Sequence, residues 1–292
     1  MKTLIIGKNG QIARELQRSC GILGESVAVG SDLLDLTSAD SISKVIRSHS
    51  PNFIINAGAY TAVDQAESER ERAFLINGQA LSVLGEEAKR LNAGVLHYST
   101  DYVFDGAKRG SYLEDDVPCP LNVYGQSKLL GEKLLSESGA AYVILRVSWV
   151  YGNSGYNFLN TMMRLGAERE ELKIVSDQIG APTWARHIAD VTVQVLTDRN
   201  FISKSGLYHL SPQGETSWFL FASKIFEICR RDHSFALKVR SLLPIASTEY
   251  PMAASRPQNS LMNSKKIKEV FGLSLPSWDH SLELVMQERF SR

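Results

Sequence analysis

The sequence predicts an α/β fold: a doubly wound parallel sheet of the Rossmann-like kind with a smaller C-terminal domain attached. Three observations lead there. The chain opens on an apolar run, Thr3-Leu-Ile-Ile6, that breaks directly into a glycine turn and a helix. Short apolar runs of the buried-strand type then alternate with helical stretches as far as Val147. Between the last two of these strands, Tyr124 and Lys128 lie four residues apart on a segment of helical periodicity, one turn from each other on one face.

Gly7-Lys-Asn-Gly10-Gln-Ile-Ala13 follows the first strand, and Arg14 to Arg18 reads as the helix behind it. Strand, glycine turn and helix bring a helix N-terminus to a pyrophosphate. The spacing is Gly-x-x-Gly-x-x-Ala rather than Gly-x-Gly-x-x-Gly, and Ala13 still meets the need for a small third residue. An ordinary strand-to-helix turn is the plainer alternative; the place at the first strand favours the dinucleotide site. Ser26 to Gly30 reads as the second strand. Dinucleotide folds put an acid near its end, on the ribose hydroxyls. Here Gly30 and Ser31 stand at that end and Asp32 comes slightly late. Asp35 and Leu36 precede a helix capped by Thr37 or Ser38.

Phe53 to Ala57 is the third strand and flows into Gly58-Ala59-Tyr60-Thr61, where small residues let a flat cofactor approach. A polar helix starts at Ala62, its charges solvated, and another begins at Phe74 with Asn77 a candidate buried residue. The fourth strand, Gly94 to Tyr98, ends in Ser99-Thr100-Asp101-Tyr102. Hydroxyls at the carboxyl end of a central strand lie where such sheets bind ligands, although alone Thr100 would read as a turn residue. Asn122 is a fitting N-cap for the helix that carries Tyr124 and Lys128. A phenol has a reference pKa of about 10, and a neighbouring ammonium makes it a better proton donor. That suits protonation of a carbonyl oxygen while hydride reaches its carbon. Tyr-x-x-x-Lys also arises by chance as an idle surface pair, so its meaning rests on the glycine turn and Thr100.

Val143 to Val147 is the fifth strand; Trp149 at its end is either core or a platform for a sugar or base. Beyond it the alternation becomes irregular: a strand from Leu172, a helix from His187 to Leu196, a strand from Leu207 to Ser211 and a helix from Trp218 to Arg230. Arg256, in a Pro-rich loop, is either a planar fork for phosphate or an exposed loop charge. The expected division is 1–149, with 181–210 returning to it, against 150–180 together with 211–292.

The 292 residues carry 32 acidic and 32 basic side chains, so no net field draws the chain to nucleic acid or to an anionic membrane. Three cysteines, Cys20, Cys119 and Cys229, lack metal or redox spacing and imply a reducing compartment without disulfides. The first apolar run is too short for a signal peptide, and no stretch has the length of a membrane span. A soluble cytoplasmic protein is expected.

Several stretches, taken together, carry a family resemblance: Gly7-Lys-Asn-Gly-Gln11, Asn56-Ala-Gly-Ala-Tyr-Thr-Ala-Val-Asp64, Ser99-Thr-Asp-Tyr-Val-Phe-Asp105, Pro120-Leu-Asn-Val-Tyr-Gly-Gln-Ser-Lys128, Ser148-Trp-Val-Tyr-Gly152, Asp177-Gln-Ile-Gly-Ala-Pro-Thr183 and Arg256-Pro-Gln-Asn-Ser260. In this order they span nearly the whole chain, and it resembles the dTDP-4-dehydrorhamnose reductases of the extended short-chain dehydrogenase/reductase superfamily. The resemblance implies a nucleotide-binding domain, a C-terminal domain for a dTDP-sugar, and NADPH as cofactor with NADH able to replace it. It implies Thr100, Tyr124 and Lys128 as the catalytic set, with Tyr124 protonating the C4 oxygen, Thr100 hydrogen-bonding it, and Lys128 holding the nicotinamide ribose. Gly7, Gly10, Gln11 and Ile12 would face the pyrophosphate. Gly30, Ser31, Asp35 and Leu36 would serve the adenosine end, and Ala57, Gly58, Ala59, Tyr60 and Thr61 the nicotinamide side. Val63, Asp101, Trp149 and Arg256 would join Thr100 and Tyr124 around the sugar nucleotide.

Two departures from the family pattern matter. The second strand ends in Gly30, where some members carry an acid. Arg186 follows the Ala-Pro-Thr turn where some members carry a glutamate that helps hold magnesium between subunits. The expected cofactor set therefore includes no metal, and the expected assembly is a homodimer not linked by metal. Two alternatives stand beside the reductase. One is a sugar-nucleotide epimerase or dehydratase, although Tyr102 follows Asp101 where dehydratases place a second acid. The other is a binding protein resembling the regulatory subunit of methionine adenosyltransferase.

Overall fold

The first strand is buried along its last four residues, as an unbroken Leu-Ile-Ile run requires when helices cover both faces of a parallel sheet. The computed structural model describes residues 1–232 and 235–291, so positions 233, 234 and 292 of the expected 211–292 segment lie outside the described residues. The first half of the chain runs β1 (Lys2–Ile6), α1 (Gln11–Ser19), β2 (Glu25–Val29), α2 (Ala39–His49), β3 (Phe53–Asn56), α3 (Val63–Ala66), α4 (Arg70–Phe74), α5 (Ala80–Leu91), β4 (Gly94–Thr100), α6 (Val123–Glu137) and β5 (Ala141–Val147). Then follow β6 (Val150–Tyr151), α7 (Phe158–Glu168), β7 (Glu171–Val175), β8 (Ile179–Gly180), β9 (Thr183–Trp184), α8 (Ala185–Thr197) and β10 (Gly206–His209). The chain closes with β11 (Thr216–Ser217), α9 (Trp218–Arg231), β12 (Ser241–Ile245), α10 (Lys265–Phe271) and α11 (Trp278–Phe290).

The main sheet has the order β10-β5-β4-β3-β1-β2, and every pair in it is parallel. β2 and β3 leave β1 on opposite sides, so the winding reverses between β1 and β3. The crevice outside their carboxyl ends is where doubly wound sheets bind ligands. Alternate strand residues feed two cores. Ile5, Ile55, Leu96 and Leu145 pack with α1 and α8, whereas Leu4, Ile54, Val95 and Ile144 pack with α2, α5 and α6. A third core, around Tyr151, Leu159, Trp184, Phe221, Phe226 and Val285, joins α7, α9 and α11.

Three local features refine the expectations. Ser38, not Thr37, caps α2, its hydroxyl accepting from the Ser41 amide. The polar helix after Ala62 is two short helices, α3 and α4. The second runs into a π turn, Leu75–Gln79, whose extra residue per turn points Asn77 inward at 1% exposure. β4 continues past Tyr98 to Thr100, which pairs with Val147 at the end of β5.

Candidate active site

The glycine turn after β1 is built for close approach. Gly7 has φ 95°, and a Cβ there would lie 2.6 Å from the Gly58 amide nitrogen. Gly10 caps α1 without a side chain, so the first N–H groups of the helix remain available to an anion. Gln11 is held from outside: its Oε1 accepts from Asn157 Nδ2 at 2.8 Å. Gly7 packs directly on the Ala57–Gly58 backbone, so what the turn leaves open, and what suits a dinucleotide phosphate, is the uncapped N-terminus of α1.

At the end of β2 the structure departs from the reading of the sequence. The Leu33 and Leu34 amides both donate to the Gly30 carbonyl, and this turn folds Asp32 back. Its Oδ1 would be 2.6 Å from a Cβ at Gly30, so the Asp32 carboxylate fills the space beside that residue. Ser31 is exposed. Asp35 is engaged with its own turn, its Oδ1 accepting from the Thr37 amide and hydroxyl at 2.8 and 2.7 Å, which holds its carboxyl below the usual range. Leu36 approaches Gly58. Ala59 and Thr61 are exposed on the loop after β3. Tyr60 between them is clamped by Asn77, which accepts from its amide at 2.8 Å and donates to its carbonyl at 3.0 Å. Asn77 also donates to Ser127 on α6, tying this loop to the helix of Tyr124 and Lys128. Ile12 stands in the first turn of α1, and half-buried Val63 opens α3.

Thr100 and Tyr124 come together. The Thr100 hydroxyl accepts from the Tyr102 amide at 3.2 Å and donates to Asp101 Oδ1 at 3.0 Å, on the side of the strand end that faces the Tyr124 phenol. Burial pushes the phenol up to about 12, the nearby Thr100 hydroxyl works against that, and the Asp101 charge adds to it. Asp101 is itself buried, with its Oδ2 unpartnered among the described residues, and burial pushes its carboxyl up to about 6 against the nearby Ser260 and Thr100 hydroxyls. α6 reaches this position because Gly125 has no side chain: a Cβ there would lie 2.1 Å from the Tyr102 carbonyl oxygen. Asn122 caps the helix, its Oδ1 accepting from the Gly125 amide at 2.8 Å.

Lys128 is 2% exposed, and its ammonium donates to the Tyr98 carbonyl at 2.6 Å and meets His97 Nε2 at 2.9 Å. Burial lowers its pKa to about 7, opposed by Glu132 one turn on. Trp149 adopts a left-handed backbone, φ 47°, and stacks on Trp218 with ring centroids 3.5 Å apart and planes 10° apart. It is half-buried against Gly180, where a Cβ would come within 2.5 Å of the indole.

Arg256 is not a free loop charge. Its fork is taken by Asp64, and Nη1 also donates to the Ala254 carbonyl at 3.0 Å. Arg186 likewise has partners: its Nε donates to Glu15 at 3.0 Å, and Nη1 lies 2.7 Å from Glu288. Among the described residues, no group of three or more His, Cys, Asp or Glu is arranged to hold a metal ion, and no helix is long and apolar enough to cross a membrane. The sequence did not single out His97, Asp64 or Trp218. Only His97 left a signal, as an ionisable residue inside an apolar strand.

A tyrosine and a buried lysine one helical turn apart, a threonine at the adjoining strand end and a glycine turn at the switch point of the sheet are together the marks of a short-chain dehydrogenase/reductase. The chain belongs to the family described as the RmlD substrate binding domain, whose model matches residues 1–290. It is 44% identical over 298 residues, all of both chains, to a dTDP-4-dehydrorhamnose reductase of Burkholderia thailandensis. It is 42% identical to one of Escherichia coli, covering 100% of this chain and 99% of that one. A crystal structure of the dTDP-4-dehydrorhamnose reductase of Bacillus anthracis in complex with NADP superposes with a TM-score of 0.89 at 38% identity, covering 99% of this chain and 100% of that one.

Proposed function

We propose that this chain reduces the C4 keto group of dTDP-4-dehydro-6-deoxy-L-mannose with NADPH, giving dTDP-L-rhamnose. One observation supports the reading above the others. Thr100 at the carboxyl edge of β4 lies beside Tyr124, one helical turn from the buried Lys128, in a chain that aligns end to end with reductases of that name. The bound nicotinamide supplies hydride to C4. Tyr124 gives its phenolic proton to the C4 oxygen, and Thr100 holds that oxygen in place. The raised pKa keeps Tyr124 protonated until the oxygen develops charge. Lys128 holds the nicotinamide ribose and, as an ammonium, favours the phenolate left behind.

Gly7, Gly10, Gln11 and Ile12 hold the pyrophosphate. Gly30, Ser31, Asp35 and Leu36 face the adenosine, and Ala57, Gly58, Ala59, Tyr60 and Thr61 the nicotinamide. Val63, Asp101 and Trp149 line the sugar-nucleotide pocket, with Arg256 oriented by Asp64. Residues 1–149 with 181–210 form the cofactor half, and 150–180 with 211–292 the sugar-nucleotide half. The protein works in the cytoplasm, as a homodimer not linked by metal. The epimerase, dehydratase and regulatory-subunit alternatives are not favoured, because the full-length relatives are named as reductases.

The test is NADPH oxidation by the purified protein with the keto sugar, with the product identified by mass spectrometry and NMR. Stoichiometric dTDP-L-rhamnose is expected. No turnover with either nicotinamide cofactor, together with co-purification of another enzyme, would replace the reading with a binding role.

A further inference from the structure

Lys128 is a buried cation with three N–H donors, and the protein uses two of them. One goes to the Tyr98 carbonyl and one to the His97 ring, both on β4. No third partner is present among the described residues. An ammonium can only donate, so His97 Nε2 must offer its lone pair and the ring proton must sit on Nδ1. Nδ1 faces the side-chain amide of Asn56 of β3 at 3.2 Å, and with the ring proton on Nδ1 that amide must present its oxygen to the ring. A line of polar groups thus runs from the end of β3, through a neutral imidazole, to the lysine of the site.

We propose that His97 is a positioning residue for the reduction. Its ring accepts one Lys128 N–H, fixes the direction of the one donor left for the cofactor ribose, and supports the charged form of the lysine. The proposal rests on the reading of Lys128 as the ribose-binding lysine. The ring suits the task because it remains neutral: it is 1% exposed, and burial, then the Lys128 charge, hold its pKa well below the usual histidine value. The other groups around Lys128 do not take over this role. Glu132, on the same helix, favours the charged lysine through space but is bound to Arg146 of β5 at 2.6 Å and makes no bond to the ammonium. Tyr124, one turn earlier, faces Thr100, whose hydroxyl donates to Asp101.

Three measurements decide it. In the wild-type protein, the ring nitrogen shifts of His97 should report a neutral ring with an unprotonated Nε2 from pH 5 to 9; a proton on Nε2 in that window overturns the proposal. His97→Phe keeps a planar ring and removes the acceptor. The midpoint of the Lys128 Cε resonance should then fall by about one pH unit or more, because a charged donor loses its partner. NADPH affinity, read by fluorescence quenching, should fall about tenfold. His97→Gln places an amide oxygen near the Nε2 position and should restore both values. Equal loss in folded Phe and Gln variants, or an unmoved Lys128 midpoint in His97→Phe, sinks the proposal. Lys128→Met tests the underlying reading separately: full NADPH affinity and turnover in that variant would remove Lys128 from the site, whatever His97 does.

Discussion

Asp64 grips Arg256 with both carboxylate oxygens, Nη1 to Oδ1 at 3.1 Å and Nη2 to Oδ2 at 2.7 Å, joining the start of α3 to a loop 192 residues further on. The bond to Arg256, first among its causes, holds the Asp64 carboxyl below its usual range. The pair therefore adds stability above the unfolded carboxyl value of about 4 and loses it as pH falls through the lower folded value. Arg256→Ala should cost about 1 kcal/mol in denaturant unfolding at pH 7 and little near pH 2. It should also weaken dTDP binding measured by calorimetry. Lost stability with unchanged dTDP affinity would make the pair a structural tie alone.

Tyr124→Phe removes the phenolic hydroxyl and little volume. Turnover should drop about 10²–10⁴-fold while NADPH affinity holds, since general acid catalysis is worth that much. Steady-state kinetics with a cofactor titration check both parts, and near-normal turnover would take Tyr124 out of the mechanism.

Asp101 has the opposite linkage to Asp64. Burial pushes its folded value up to about 6, above the unfolded one, so its ionisation costs the folded state stability as pH rises from about 4 to 6. Asp101→Asn escapes that cost. The melting temperature of the variant, relative to wild type, should rise between pH 4 and 7, and a flat difference would place the Asp101 titration elsewhere.

Cofactor choice should turn on Asp32. NADPH is expected to be preferred, with NADH accepted because the folded-back carboxylate can receive hydrogen bonds from ribose hydroxyls while opposing a 2′-phosphate. Asp32→Ala should raise the kcat/KM ratio of NADPH over NADH. Gly30→Asp, which would have to displace Asp32, should lower it. A wild-type preference for NADH would show the carboxylate to be the dominant element of this site.

Arg186 holds the place between Glu15 and Glu288 with a fixed positive charge. Divalent metal there would meet repulsion. Chelator should leave the sedimentation coefficient unchanged, and a dimer that dissociates in EDTA would contradict this.

What could be read from the sequence, and what could not, divides by range. The strands, the Gly7 turn and the Tyr124 helix were legible because their signals are local: apolar runs, caps and glycine. Thr100 was legible through its place at a strand end. Where the Asp32 carboxylate lies was left open by the sequence, because a reverse turn decides it by bringing the side chain back beside Gly30. The pairing of Arg256 with Asp64 was not legible, because the two are distant in sequence and no periodicity relates them. Asn77 was seen as a candidate for burial, but its clamp on Tyr60 depends on a π turn that no local pattern announces.

The stacked indoles of Trp149 and Trp218 have a consequence of an optical kind. One follows β5 of the main sheet and the other opens α9 against the third core. Nearly parallel rings this close couple their electronic transitions, and the face-to-face overlap is one that ring quadrupoles disfavour. The near-ultraviolet circular dichroism of the free protein should therefore carry an exciton signature. A ligand that parts the rings would erase that signature and brighten the emission, giving the chain a label-free gauge of occupancy at the end of β5.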